Sequence, residues 1–301
     1  MAGGDGVRLR QLTRAVHGED CPKQFALLSG DRSLIQSTVA RASRWSAPER
    51  TVVVVAAERE ALARRQLQDF GPVDVVTQPS NRGTGPGIFL PLARVFAQDP
   101  LARVVIMPSD HYVRDEESFE ESIRMAVEEA ADHVALVGAV PDHAETQYGW
   151  IVPGSDRRST GNRSDVVTSF CEKPEMPLAE QLFRSGALWN TFIMAGSAKR
   201  FWSLGRRHLP FQMDLFEAYR RSLGSAAEPG VLNDIYLQLP AADFSSDVLQ
   251  KAEGLRVARL RECGWSDWGT PERVLESLRD HSDYEVLSTR LAEASAASSA
   301  A

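Results

Sequence analysis

The chain has 301 residues, 43% hydrophobic and 25% charged, with a formal net charge of -7; this is the make-up of a globular protein with a substantial core. The acidic balance argues against a nucleic-acid-binding surface, although a few local cations would suffice for a phosphorylated substrate. No apolar run is long enough to span a bilayer and no signal-peptide core opens the chain, so a cytoplasmic location without a membrane partner is expected. The three cysteines, Cys21, Cys171 and Cys263, lack metal-ligand spacing and read as small hydrophobes in a reducing compartment.

Residues 51–57 (TVVVVAA) are apolar throughout, the pattern of a strand buried on both faces. The pattern then predicts a helix over 59–70, a strand over 73–77, a helix over 86–98, a strand over 103–107, a helix over 116–131 and a strand over 133–140. Strand–helix alternation with short connections predicts right-handed crossovers and a doubly wound α/β sheet. Beyond Gly149 the strands shorten, at 150–153, 166–171 and 188–195. Helices over 198–207, 212–223 and 230–239 follow, then a last strand over 255–260 and a helix over 271–279. Residues 292–301 are nearly all Ala and Ser, and 286–301 is read as a disordered tail.

The opening Met1-Ala2-Gly3-Gly4-Asp5-Gly6-Val7-Arg8-Leu9 crowds glycines where backbone N–H groups can approach a phosphate with no Cβ in the way, and Arg8 adds a forked cation. Lys23, in Pro22-Lys23-Gln24, is a second cation. Asp110 ends an apolar strand on the carboxyl side, where open α/β sheets place ligands. Asp267 lies between Trp265 and Trp268 on a loop that the two indoles mark as structured.

Read together, GGxGxRL…PKQ resembles the signature of the sugar-phosphate nucleotidyltransferases, most nearly that of the mannose-1-phosphate guanylyltransferases. The resemblance continues through Ser33-Leu34-Ile35-Gln36, Gln78-Pro79 with Asn81-Arg82-Gly83-Thr84, Pro108-Ser109-Asp110-His111 and Tyr148-Gly149-Trp150-Ile151. It runs on through Phe170-Cys171-Glu172-Lys173-Pro174, Trp189-Asn190, Phe244-Ser245-Ser246-Asp247 and Gly264-Trp265-Ser266-Asp267-Trp268-Gly269, in the family's order.

The resemblance implies a GT-A-like, Rossmann-like mixed sheet in one domain over 1–285, with a nucleotide-binding half (1–140) and a sugar-phosphate-binding half (141–285). It also implies in-line attack by a sugar 1-phosphate oxygen on the α-phosphorus of a nucleoside triphosphate, releasing pyrophosphate, with catalysis mostly by charge neutralisation and positioning. Asp110 and Asp267 would together hold Mg²⁺ (or Mn²⁺). Arg8 and Lys23 would neutralise phosphates, with Gly3, Gly4 and Gly6 in the phosphate loop. Gln78, Asn81 and Thr84 would bind the nucleotide, Gln78 and Asn81 at the base edge, and Tyr148, Gly149, Glu172, Lys173 and Asn190 would bind the sugar phosphate. His111 would fix its loop rather than act as a base. The substrates implied are GTP and mannose 1-phosphate. The alternatives are thymidylyl or uridylyl transfer to glucose 1-phosphate, or a non-catalytic nucleotide-sugar-binding paralogue.

The pattern departs from the family at Val7, often Thr, and at Gly85 and Gly87, often Ala, which would loosen the first turn of that helix. No appended β-helix or β-domain is present, so a monomer or homodimer is expected. In this fold a first strand ending in LAGG precedes the phosphate loop, whereas here only Met1-Ala2 precedes Gly3-Gly4. That strand, expected between those at 51–57 and 103–107, is missing, and a natural chain with an apolar strand upstream is expected.

Overall fold

The computed structural model describes residues 1–3, 9–18, 21–154 and 164–299, with side chains as far as 293. Its regular elements run α1 Arg10–His17, α2 Leu34–Ala42, β1 Val52–Ala56, α3 Glu60–Leu67, β2 Asp74–Gln78, α4 Thr84–Gln98, β3 Arg103–Ile106, α5 Glu116–Glu129, β4 Ala135–Ala139 and β5 Gly149–Pro153. They continue with β6 Asp165–Glu172, α6 Met176–Arg184, β7 Leu188–Ser197, α7 Ala198–His208, α8 Pro210–Ser222, α9 Glu228–Gln238, α10 Phe244–Asp247, β8 Arg256–Arg259, α11 Pro271–Ser277 and α12 Asp283–Ser299. The strands and helices expected from periodicity are present, their ends shifted by a few residues. Helices α1, α2, α6 and α10 were not expected, although Ser33 and Gln36 form a reciprocal cap at the start of α2 that S-x-x-Q spacing signals.

Two compact units emerge: Met1–Thr77 with Pro108–Glu116 and Gly264–Ala301, and Gln78–Met107 with Glu117–Cys263. The boundary expected at 140/141 lies inside the second unit, which the chain leaves after β3 and again after β8.

Both units are α/β. Strands β1 and β2 form a two-stranded sheet, and the second unit holds a six-stranded sheet in the order β3-β7-β4-β8-β6-β5. In that sheet β4–β8 is a parallel pair, whereas β7 runs antiparallel to both β3 and β4. The sheet is therefore mixed as expected, but β1 and β3 belong to different sheets rather than to one doubly wound sheet. Among the described residues no strand precedes β1. Ala2 makes a single parallel bridge to Val55, its N–H donates to the Val54 carbonyl at 2.9 Å and the Met1 carbonyl accepts from Ser109 N–H at 3.0 Å.

The tail is a correction: α12 is helical to Ser299. Alanine is the best helix former, and Leu287 and Leu291, one turn apart, pack with Leu9, Leu12 and Trp268. The Asp283 carboxylate then ties the start of α12 to Gly30 N–H at 2.8 Å. Around β1, Phe25, Ile35, Val39, Val53, Val55 and Val75 form the core of the first unit. Among the described residues no helix is long and apolar enough to cross a membrane. Among the described residues no disulfide joins the three cysteines, of which Cys263 is buried and the others half-buried.

Candidate active site

In the first unit, a short 3-10 helix, Lys23–Phe25, buries all three of its side chains. Gln24 Nε2 donates to the Ala2 carbonyl at 2.9 Å and Gln66 Nε2 to the Phe25 carbonyl at 2.9 Å, which fixes where Lys23 stands. Lys23 Nζ lies 3.0 Å from Asp110 Oδ2 and donates to the carbonyls of Asp267 and, at 3.3 Å, Trp268. Tyr112 and Ser266 exchange both backbone hydrogen bonds, at 2.9 and 3.1 Å, so the Asp110 loop and the Asp267 loop are locked edge to edge. Tyr112 also stacks on Trp268, ring centroids 4.6 Å apart.

Burial is the largest influence and works to raise the Asp110 pKa, but Lys23, His111 and the N-terminal ammonium together outweigh it and hold the carboxyl below its ordinary range. Burial pushes the His111 imidazole down to about 4, so it is neutral near pH 7. Its Nδ1 accepts from Trp265 Nε1 at 3.2 Å, which leaves the ring proton on Nε2. His111 braces its loop against Trp265, in keeping with the part expected of it.

Asp267 Oδ1 accepts from Gly269 N–H at 2.9 Å and pairs with Arg273 at 3.0 Å. Sequence reasoning missed Arg273, whose one signal is its place in the first turn of the helix that Thr270 caps. Among the described residues no group of three or more His, Cys, Asp or Glu side chains converges. Asp110 and Asp267 stand on the two interlocked loops, Lys23 touching the Asp110 carboxylate and the Asp267 main-chain carbonyl. Carboxylate oxygens are the donors that suit Mg²⁺, which keeps several waters and takes one or two carboxylates plus substrate phosphates.

In the second unit, Gln78 and Asn81 flank the turn from β2 into α4. Gln78 is 4% exposed, with its Oε1 accepting from the Tyr236 hydroxyl at 3.2 Å. Asn81 Oδ1 accepts from Gly83 N–H at 2.9 Å. The Thr84 hydroxyl donates to Asp243 at 3.1 Å and accepts from Phe244 N–H at 2.7 Å, so it lashes α4 to the start of α10. Gly83 has φ +88, and a Cβ there would meet the Ala242 carbonyl oxygen at 2.4 Å; one at Gly85 would meet it at 3.2 Å. These glycines permit a close approach of backbones rather than merely loosening the helix.

The sugar-site candidates also lie in the second unit. A Cβ on Gly149 would meet Glu172 Oε2 at 2.6 Å and Asn190 Cβ at 3.3 Å, so the three residues share one cradle. Glu172 Oε2 is buried and, among the described residues, lacks a hydrogen-bond partner, while Oε1 pairs with the exposed Lys173 at 3.3 Å. Burial raises the Glu172 pKa, with Lys173 opposing. Asn190 Oδ1 accepts from Phe192 N–H at 3.1 Å beside the register shift between β4 and β7. Tyr148 packs edge-on to Trp189 at 5.0 Å. Gly3 is among the described residues; Gly4, Gly6 and Arg8 lie outside them.

A family model described as Nucleotidyl transferase matches residues 1–283. Mannose-1-phosphate guanylyltransferase of Klebsiella pneumoniae is 30% identical over 281 residues, 90% of this chain and 57% of that protein. The xanthan biosynthesis protein XanB of Xanthomonas campestris is 30% identical over 92% of this chain and 58% of its own. The chain thus spans a little over half the length of these relatives. A solved structure described as mannose-1-phosphate geranyltransferase from Thermus thermophilus is 30% identical, with a TM-score of 0.80, over 92% of this chain and 77% of that one. UTP-bound UGPase from Acinetobacter baumannii, 16% identical with a TM-score of 0.54 over 97% of this chain and 96% of that one, shares the GT-A-like fold. With the family model matched over nearly its whole length, the chain belongs to the nucleotidyl transferase family.

Proposed function

We propose that this chain transfers GMP from GTP to mannose 1-phosphate. A phosphate oxygen of the sugar attacks the α-phosphorus, the bond to the bridging oxygen of the β-phosphate breaks, and pyrophosphate leaves. The observation that carries this reading is the pair of interlocked loops bearing Asp110 and Asp267, with Lys23 bridging the Asp110 carboxylate and the Asp267 main-chain carbonyl. The names of the relatives support the choice of substrates.

Lys23, fixed by three acceptors, places a positive charge where two anionic substrates must meet. Asp110 and Asp267 would hold Mg²⁺, which when bound supplies charge neutralisation at the phosphates. Neutral His111 keeps the Asp110 loop in place without taking a proton. Glu172 offers a sugar hydroxyl a buried oxygen, Oε2, that has no hydrogen-bond partner among the described residues, and Gly149 leaves room for that approach. Arg8, Gly3, Gly4 and Gly6 would cradle the triphosphate.

A pyrophosphate-release assay crossing nucleoside triphosphates with sugar 1-phosphates tests this. GTP with mannose 1-phosphate should give the highest kcat/KM, and Asp110→Asn should lower turnover by orders of magnitude. Preference for dTTP or UTP with glucose 1-phosphate would move the chain to the thymidylyl or uridylyl branch. No pyrophosphate from any pair would favour a non-catalytic binding protein.

A further inference from the structure

Gln78 and Tyr236 are both buried, at 4% and 2% exposure. The Tyr236 hydroxyl lies 3.2 Å from Gln78 Oε1, and Arg82 holds the Tyr236 carbonyl at 3.1 Å. Burial pushes the Tyr236 phenol above its ordinary range, so it keeps its proton. Gln78 Oε1 is the acceptor for that proton; with the amide turned over, the phenol oxygen could accept from the NH₂ group, but its own buried proton would lose its acceptor. Among the described residues nothing accepts from Gln78 Nε2. Three residues on, Asn81 reaches the same polarity by another route: its Oδ1 closes a turn onto Gly83 N–H at 2.9 Å, and its own amide group is exposed.

We propose that Tyr236 is a positioning residue that fixes the polarity of this loop, so that Gln78 and Asn81 present NH₂ donors to the nucleotide base and select an edge with two adjacent acceptors. The inference rests on the reading above that the loop contacts the base. Guanine offers two adjacent acceptors, O6 and N7. On the same edge, the one that bears purine position 6 or pyrimidine position 4, adenine keeps N7 but places a donor at position 6, cytosine carries a donor at position 4, and uracil offers the acceptor O4.

The test needs no variant at first. Pyrophosphate release by the full chain is measured with GTP, ITP, 2-aminopurine riboside triphosphate, 7-deaza-GTP, ATP, UTP and CTP. ITP, which keeps O6 and N7, should stay within about threefold of GTP. The analogues lacking O6 or N7 should each lose about tenfold or more in kcat/KM, chiefly through KM. UTP should exceed CTP. In Tyr236→Phe the amide can turn over, and both the GTP:ATP and the UTP:CTP ratios should fall by about tenfold. A uniform loss on all nucleotides in that variant, which a merely structural role would produce, overturns the proposal. So does a wild-type chain that rejects ITP as strongly as ATP, or prefers CTP to UTP. Those outcomes leave the transferase reading intact. A preference for UTP over GTP would overturn the guanylyl reading instead, while the UTP:CTP ratio would still report the polarity.

Discussion

Replacing Lys23 by Met keeps an unbranched stem and deletes the ammonium. Three acceptors lose their donor: Asp110 Oδ2 at 3.0 Å and the carbonyls of Asp267 and Trp268. A buried carbonyl left without a partner costs about 1–3 kcal/mol. Asp110 has a side chain 35% exposed, so water compensates part of its loss and its share falls to about 1 kcal/mol. With each carbonyl at the low end of its range, the total is about 3 kcal/mol, and at about 2–4 °C per kcal/mol for a chain of this size Tm should drop by about 6–12 °C.

Asp110→Asn leaves Lys23 on its two carbonyls and should cost about 1 kcal/mol. In the double variant no carboxylate is stranded, so its loss should fall short of the sum by about 1 kcal/mol, beyond the ~0.3–0.5 kcal/mol within which independent sites add. The folded-state pKa of Asp110 is depressed, so this coupling is complete above the ordinary value of 3.8 and disappears as pH falls below it. Thermal and urea unfolding of the four chains measures it. Strict additivity at pH 7, or a Lys23→Met chain that melts within about 2 °C of the wild type, would refute the argument.

Gly149→Ala places a Cβ 2.6 Å from Glu172 Oε2 and 2.9 Å from the tip of Phe170. Urea unfolding should show a loss of about 1–3 kcal/mol, and the KM for the sugar phosphate should rise; an unchanged KM would separate Gly149 from the sugar site. Glu172 has a folded-state pKa raised by burial, so its contribution to stability is complete below the ordinary value of 4.5 and is lost as pH rises through the folded value. Glu172→Gln should flatten that part of the curve, read as the urea midpoint from about pH 4 to 7; a parallel shift of the whole curve would count against the buried-carboxyl account.

Periodicity was enough for β1 and β4, because strands of Val, Leu and Ala carry their burial in composition. It failed for the tail, where ten residues of mostly Ala and Ser carry no apolar stripe, and the decisive side chains, Leu287 and Leu291, lie upstream against α1. It also failed for the sheet: whether β1 and β3 share one depends on what lies between them, which no local pattern states. At the site, Asp110, Asp267, Lys23 and Glu172 were visible as motif members. Their partners Arg273 and Tyr236 were not, since an ion pair six residues along and a contact 158 residues away leave no mark in spacing.

The short segments do more than supply side chains. Among the described residues, three that are not glycine adopt a left-handed backbone: Lys173 at φ 45, Phe192 at φ 58 and Trp268 at φ 44. Each such residue costs on the order of 1–3 kcal/mol and persists only where its surroundings dictate it. All three lie in or beside a segment that marks the family: Lys173 in F-C-E-K-P, Phe192 two residues after Asn190, and Trp268 in G-W-S-D-W-G. In each case the strained residue's own N–H is held: Lys173 by the Tyr148 carbonyl at 3.2 Å, Phe192 by Asn190 Oδ1 at 3.1 Å, Trp268 by Ser266 Oγ at 3.2 Å. Asn190 and Ser266 therefore serve the backbone whatever they offer a substrate. Asn190→Leu deletes the oxygen that holds Phe192 and should cost about 1–3 kcal/mol in urea unfolding. Wild-type stability in that variant would show that the left-handed turn does not depend on that hydrogen bond.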